Sequence, residues 1–239
     1  MGTFGRQIGG IATPSINEEK IIDFIRQTKF HELDSEQLKT TGFFSEFQEM
    51  YNGLPILSRY SCNDHETLRR CFTWLGFDVY KNGTPIESYS YNNDGDPMEY
   101  QFKSYKTNRI IHALLSNPSL VVKDIDGETG FTNFAEPYND ITTFSRIEFT
   151  EVNPFTFDGE LAAIALEGSV YVKWKRAQFE TKSLTLDFAN VLMEGRFSDF
   201  KIYRTQECWS GYILGFFIAY FLFDTNKGEF WILSKDDFD

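Results

Sequence analysis

The chain has 239 residues, of which 41% are apolar and 24% are charged, so its composition excludes disordered, collagen-like and coiled-coil proteins. It is unusually aromatic, at 17%, with 25 Phe, 12 Tyr and 4 Trp. Its 35 acidic and 23 basic residues give a net charge of −12, which disfavours binding of nucleic acids or anionic membranes and favours a basic partner.

Helical periodicity dominates the first third of the chain. Apolar residues recur at helical spacing in residues 17–28, 43–51 and 64–75, and this spacing predicts three helices, each with an aromatic or aliphatic face. Asn63 is the expected N-cap of the third helix, because Glu66 follows it at the spacing of a capping box.

Turn signals divide the middle of the chain into short elements. Asn82-Gly83 predicts a tight hairpin turn, because these two residues readily adopt the positive φ angles that such a turn requires. The predicted elements are strands at 77–80 and 85–91, a strand at 98–105, a helix at 107–116, a strand at 120–125 and a loop at 126–138.

The last third contains the clearest hairpin. Residues 218–224 and 229–234 are almost continuously apolar and flank a turn at 225–228, so we expect a central, well-covered pair of strands. The other predictions are a helix at 158–166 capped by Asp158 and ended by Gly168, a strand at 170–174, a helix at 182–194 ended by Gly195, and a strand at 200–203.

These elements predict an α+β fold. A helical N-terminal portion precedes a mixed, mainly antiparallel sheet with flanking helices and a C-terminal β-hairpin. We expect a helix-rich α+β portion at 1–150 and a C-terminal α+β unit at 151–239, with one continuous domain as the alternative.

The cysteines and the apolar runs point to a reducing compartment. Cys62, Cys71 and Cys208 are odd in number and widely spaced, which argues against a disulfide framework. The start of the chain lacks the pattern of a signal peptide, and the longest apolar run, residues 212–223, is shorter than the ~20 residues of a membrane span. We therefore expect a soluble, cytoplasmic protein.

One motif suggests an enzyme. Asp124-Ile125-Asp126-Gly127 follows a predicted strand and resembles the first motif of the haloacid-dehalogenase phosphatases, in which the first Asp is the nucleophile and the second the general acid. Glu128 stands where that family has Thr, and the motif usually opens the chain. We therefore interpret these residues as an acidic turn at the end of a strand.

The sequence predicts no metal and no cofactor. Asn92, Asp94 and Asp96 alternate like the start of a calcium loop, but such a loop also needs a Gly and a bidentate Glu, and Pro97 and Lys103 occupy those positions. The three histidines, His31, His65 and His112, have no ligand spacing, and we expect His65 on the surface and His112 at a partly buried edge.

A small basic and aromatic run, Lys173-Trp174-Lys175-Arg176, has residue types that can stack on a nucleotide base. In a chain with a net charge of −12 we interpret it as a solvated strand end.

The segment from Asp124 to Glu160 is rich in acids and interleaved with aromatic residues, and residues 236–239 form a second acidic run. Solubility alone is one explanation. The other is a surface that docks a basic protein, because carboxylates speed encounter and aromatic side chains supply the buried contact area.

The C-terminal third resembles a group of uncharacterised microbial proteins. It contains Gly168-Ser169-Val170-Tyr171, Tyr203-Arg204-Thr205 and a closing run that ends in Asp236-Asp237-Phe238-Asp239, where the group has Gly-Gly-x-Tyr, Tyr-Arg-Ser and Thr-Asp-Thr-Asp. The resemblance implies that residues 168–239 form a structural unit, and it supplies no catalytic residues. In kind, an acidic, aromatic-rich α+β protein also resembles the immunity proteins of bacterial polymorphic toxins.

The function predicted from the sequence is that of a cytoplasmic immunity or inhibitor protein. It is expected to bind a cognate, basic toxin domain and cover its active site, with no catalytic residues of its own. The alternatives are a hydrolase-like enzyme with a site near Asp124 and Asp126 or at a Cys–His pair, and an interaction subunit of a defence or regulatory complex. The predicted contact residues are Asp124, Asp126, Glu128, Phe131, Phe134, Glu136, Tyr138 and Asp140.

Overall fold

A computed structural model describes residues 18–51, 55–75, 80–81, 84–85, 105–120, 149–169, 172–206 and 218–235. Its α-helices are α1 (Glu18–Gln27), α2 (Glu36–Lys39), α3 (Gly42–Met50), α4 (His65–Thr73), α5 (Tyr105–Leu115), α6 (Phe157–Glu167) and α7 (Gln178–Met193). Its strands are β1 (Phe30–Leu33), β2 (Ile56–Cys62), β3 (Tyr80–Lys81), β4 (Thr84–Pro85), β5 (Thr150–Val152), β6 (Phe200–Thr205), β7 (Ile218–Asp224) and β8 (Glu229–Lys235). Two 3₁₀ turns are Pro154–Thr156 and Phe197–Asp199.

Six of the strands form one antiparallel sheet in the order β1-β2-β8-β7-β6-β5, and β3 and β4 pair separately. The α+β class, the mainly antiparallel sheet and the flanking helices are therefore confirmed. The predicted C-terminal hairpin, β7 and β8, lies at the centre of the sheet, and all residues of its two strands except Glu229 are buried.

The turn of this hairpin is held by specific contacts. Asp224 accepts hydrogen bonds from the backbone N–H groups of Asn226 (2.8 Å) and Lys227 (2.9 Å). Gly228 has a φ of +68°, and a Cβ added there would overlap the carbonyl oxygen of His65 at the start of α4. Only glycine satisfies both the backbone angle and this close approach.

Helices cover both faces of the sheet, so the architecture is three-layered. Because side chains alternate along a strand, Phe221 and Phe223 of β7 face one core while Tyr220 and Leu222 face the other. The first core also contains α1, α4 and α5, and the second contains α3, α6 and α7.

Many aromatic residues of the described part lie inside these two cores. In the second core, Phe43 of α3 lies 5.2 Å from Phe47, 5.3 Å from Phe188 and 6.0 Å from Trp174, measured between ring centroids. Such pairs add to the stabilisation that burial of their area already provides.

The structure corrects the N-terminal predictions in three places. Strands β1 and β2 were not predicted, although β2 pairs with the central strand β8. The N-cap of α4 is Asp64, whose carboxylate accepts the Thr67 N–H, rather than Asn63. Tyr105, predicted to end a strand, begins α5.

Three C-terminal predictions also change. Asp158 does not cap α6; it lies in the first helical turn, buried, with its carboxylate 2.5 Å from the Lys182 ammonium. Helix α7 begins four residues before Lys182 because Glu180 accepts the Ala177 N–H and completes its first turn. Residues 172–174 are not a strand but part of the irregular connection from α6 to α7.

The sheet takes strands from both sides of residue 150, and Lys201 of β6 donates to the carbonyl oxygens of Thr73 and Leu75 at the C-terminal end of α4. The division of the chain into two portions at that residue stays a prediction. Among the described helices, none is long and apolar enough to cross a membrane.

Candidate functional site

A groove beside α6 is a concave site among the described residues. One face of α6 forms its first wall. The second wall is formed by the C-terminal ends of β6 and β8 and the N-terminal end of β7, which are neighbours in the sheet. Its volume is about 620 Å³, within the ~300–1,000 Å³ usual for ligand sites. The lining residues are Thr156, Gly159, Glu160, Ala163, Ile164, Glu167, Arg204, Gln206, Ile218 and Lys235.

An ion pair bridges the two walls. The Arg204 guanidinium of β6 lies 2.6 Å from the Glu160 carboxylate of α6. The Tyr220 hydroxyl donates to the same carboxylate at 3.3 Å. Burial, with the charge of Glu160 beside it, raises the pKa of Tyr220, so its hydroxyl keeps its proton and remains a donor.

A second cation closes one end of the groove. Lys235, the last residue of β8, is only 6% exposed, and its ammonium lies 4.5 Å from the centre of the Tyr51 ring. Tyr51 in turn donates to the carbonyl oxygen of Gly168 at 2.9 Å, which ties the end of α3 to the end of α6. A cation over an aromatic face is stabilised by the ring quadrupole.

The groove is suited to binding. Cations stand on the sheet side, carboxylates on the helix side, and Ala163, Ile164 and Ile218 provide apolar surface between them. Such a lining can recognise a ligand by charge and by apolar contact.

The predicted contact residues, Asp124, Asp126, Glu128, Phe131, Phe134, Glu136, Tyr138 and Asp140, lie outside the described residues, as do the two motifs weighed for phosphatase and calcium chemistry. They stay predictions.

The described end of the acidic segment is used partly for structure. Phe149 and Phe157 are buried in the two cores. Asp158 and Glu160 are both paired with cations. Phe155 is the exception: it is 67% exposed and stacks on Phe197, with ring centroids 5.7 Å apart.

Charge is distributed unevenly along the chain. From Asp124 to Glu160 the sequence has nine acids and one base, Arg146. Many described acids are paired; Glu46 is an example, since its hydrogen bond from Arg176 lowers the pKa of the carboxyl group.

The basic and aromatic run is only partly accessible. Trp174 donates its indole N–H to the Thr181 hydroxyl at 2.7 Å and packs beside Phe43, so its ring is held within the protein. Arg176 lies 2.5 Å from Glu46. Lys173 and Lys175 are exposed.

Histidine and cysteine positions agree with the structural interpretation. His65 is exposed and His112 is half-buried against Phe149, as predicted. Cys62 and Cys71 are free and buried, and burial raises the pKa of both thiols, that of Cys71 to about 12. Within the part of the chain that is described, no group of three metal-ligating side chains occurs.

No family model matches the chain, and comparisons with curated proteins and with solved structures also give no match. The function must therefore be argued from the residues themselves.

Sequence reasoning missed the groove. A signal was present, because Glu160, Ala163 and Glu167 recur at helical spacing and Arg204 interrupts a strand. Whether α6 meets the end of β6 depends on the order of the strands in the sheet, which residue types alone do not predict.

Proposed function

We propose that the protein is an immunity or inhibitor protein that binds a cognate, basic toxin domain and covers its active site. The observation that carries the proposal is the charge pattern of the sequence: the stretch from Asp124 to Glu160 has nine acids and one base, Arg146, with aromatic residues among them. Solubility alone does not require acids and aromatic residues to be gathered in one stretch, whereas an acidic docking surface uses both residue types together.

The partner class follows from this chemistry. Carboxylates in one stretch, from Asp124 to Asp140, attract a basic surface, and the aromatic residues among them provide contact area once the two proteins meet. A nuclease or other enzyme with a cationic active site has the complementary surface. An inhibitor of such an enzyme replaces the anionic substrate with its own carboxylates.

The test begins with capture of the partner from the native host at low salt. The five acids of the predicted surface, Asp124, Asp126, Glu128, Glu136 and Asp140, are then changed to Lys together. We expect the affinity to fall by about a hundredfold or more, chiefly through loss of complementary charge at the interface.

A matched control separates position from total charge. Five exposed acids with no ion pair among the described residues can be changed to Lys with the same change in net charge: Asp23, Glu32, Glu49, Glu151 and Asp187. If the proposal is correct, this control keeps affinity within about tenfold, through slower encounter alone. Equal losses in both variants would mean that the acids of residues 124–140 are not the docking surface.

A second candidate, an interaction subunit that binds through apolar surface, is favoured by one observation. Phe179, at the start of α7, is 85% exposed, and Leu186, two turns later on the same side of the helix, is 43% exposed. Exposed apolar side chains at helical spacing are typical of docking faces. Phe179→Ser abolishes partner capture under this alternative and leaves it unchanged under the first.

A further inference from the structure

We infer that Phe155, stacked on Phe197, is an aromatic anchor of the interface with the basic partner, and that its open ring face receives an arginine side chain of that partner. The inference rests on the proposed function and adds a contact residue beyond the predicted acids of residues 124–140. It also names the chemistry on the partner's side, which is a guanidinium group.

Phe155 is exposed in a segment whose other described aromatic residues are buried. It lies between Asp124 and Glu160, in the run of acids and aromatic residues that supports the proposed function. Phe149 and Phe157 of this run are 7% and 0% exposed, whereas Phe155 is 67% exposed. Of these three rings, only that of Phe155 can meet a partner without a change in the core.

One face of the Phe155 ring is covered and the other is open. The ring stacks on that of Phe197, with the centroids 5.7 Å apart and the planes at 21° to each other. Because stacking covers one side only and most of the residue is exposed, the opposite face meets the solvent. Two stacked rings also present a wider apolar surface than a single exposed side chain does.

The backbone holds this ring in place before a partner arrives. The Asn153 side chain accepts the Phe155 N–H at 3.0 Å and begins the 3₁₀ turn Pro154–Thr156. Val152 before the turn and Phe157 after it are buried, so the turn is anchored at both ends. A side chain that is already ordered loses little conformational entropy on binding, as an interface anchor requires.

Carboxylates outnumber cations next to the stacked rings. Arg196, the residue before Phe197, and Lys227 are ion-paired with three carboxylates. These belong to Glu194, Asp199 and Asp224. The excess of negative charge favours a cation on the partner. Arginine suits an open aromatic face better than lysine, because its planar guanidinium stacks on the ring and is more weakly hydrated than an ammonium.

The first test locates the contact. In the full chain, Phe155 is replaced by the photoreactive amino acid p-benzoylphenylalanine, and the chain is irradiated with the purified partner that was captured at low salt. The matched control carries the same replacement at Phe179, which is 85% exposed but lies on α7, outside the acidic and aromatic segment. We expect a crosslink to the partner from position 155 and none from position 179.

The second test measures affinity for the same purified partner. Phe155→Ala is expected to weaken binding by about tenfold or more, as loss of an interface anchor does. Phe155→Leu keeps apolar bulk but removes the aromatic face, and it is expected to weaken binding by about fivefold. Phe179→Ala changes affinity by less than about twofold. Urea unfolding of each variant checks that an exposed substitution has left the fold intact.

The outcomes separate this inference from the proposed function. If Phe155→Ala binds as tightly as the native chain while reversal of the five acids still weakens binding, only this inference is overturned. A crosslink from position 179 instead of 155 also overturns it, and native affinity in Phe155→Leu overturns the arginine contact. If no basic partner is captured, or if neither Phe155→Ala nor the five-acid reversal weakens binding, the proposed function fails and this inference fails with it.

Discussion

Replacing Asp224 with Asn is expected to destabilise the protein more than any other isosteric change at a described acid. Its carboxylate is almost inaccessible, at 2% exposure, and lies 2.5 Å from the Arg196 guanidinium while it accepts two backbone N–H groups of the hairpin turn. Asparagine keeps the shape and one acceptor oxygen. It removes the charge, so that Arg196 loses its buried counter-ion.

The size of the destabilisation depends on how much of the Arg196 charge stays compensated. Removing one partner of a buried ion pair costs about 3–5 kcal/mol. Arg196 is itself 25% exposed and keeps Asp199 at 3.1 Å, so part of its charge stays compensated. We therefore expect a loss of about 2–3 kcal/mol, and about 1–2 kcal/mol more for Asp224→Ala, which also breaks the turn hydrogen bonds.

The assay is equilibrium unfolding in urea. The midpoint falls while the slope of the free energy against urea stays constant, because the surface exposed on unfolding is unchanged. Asp187→Asn, at an exposed position on α7, is the control and shifts stability by less than about 0.5 kcal/mol. A loss below about 1 kcal/mol for Asp224→Asn would show that Arg196 does not depend on this carboxylate.

Three further measurements test the pH dependence of this ion pair and two other contacts. Burial raises the pKa of Asp224, but hydrogen bonds from Arg196 and from the Lys227 and Asn226 backbone outweigh burial and hold the pKa below the ordinary 3.8. The ionised carboxylate therefore stabilises the protein above pH 3.8, and this stabilisation is lost as the pH falls through the lower pKa of the folded state. In an acid titration, stability is expected to decline more steeply below about pH 4 in the native chain than in Asp224→Asn. Gly228→Ala combines an unfavourable φ with a clash against the His65 carbonyl, and it is expected to lower the free energy of unfolding by more than about 2 kcal/mol in thermal unfolding. Gly195→Ala is the control, because its φ is +70° but no atom lies within 4 Å, and it costs only about 1 kcal/mol. Equal losses in the two variants would contradict the close approach of Gly228 to His65. Lys201→Met removes the cation that binds the carbonyls of Thr73 and Leu75, and it is expected to lower stability by about 1–2 kcal/mol. The loss should be seen as faster hydrogen exchange in the last turn of α4. Unchanged exchange there would mean that this contact does not hold the helix end.

The central hairpin was predictable because its apolar strand residues and its turn residues both indicate the same structure. Continuous apolar residues on both sides of Thr225-Asn226-Lys227-Gly228 fit a buried pair of strands, and the turn residues fit the observed backbone angles. Helices α3 and α4 were predictable for the same reason, since their aromatic and aliphatic residues share one face.

Strands β1 and β2 were missed for identifiable reasons. β1 has four residues, and His31 and Glu32 are exposed at the edge of the sheet, so it carries almost no apolar signal. β2 buries Ser58 and Ser61, and Ser61 is satisfied by donating to the Gly228 carbonyl oxygen from across the chain. A buried serine with a partner 167 residues away has no local signature.

The site was less predictable than the fold. Glu160 and Arg204 are ordinary charged residues in sequence, and their pairing depends on α6 lying across the ends of β6 and β7. A Lys at the end of an apolar strand is likewise ordinary in sequence. Only the burial of Lys235 against Tyr51 distinguishes it.

The position of β7 and β8 at the centre of the sheet has a consequence for synthesis of the chain. A ribosome makes residues 30–62 and 150–205 before residues 218–235, so the inner edges of β2 and β6 have no partner strand until the hairpin is made. Such edges are sites of aggregation until a partner strand covers them. Residues 218–235 pair with both β2 and β6, so the six-stranded sheet closes only after the chain has been made as far as this hairpin.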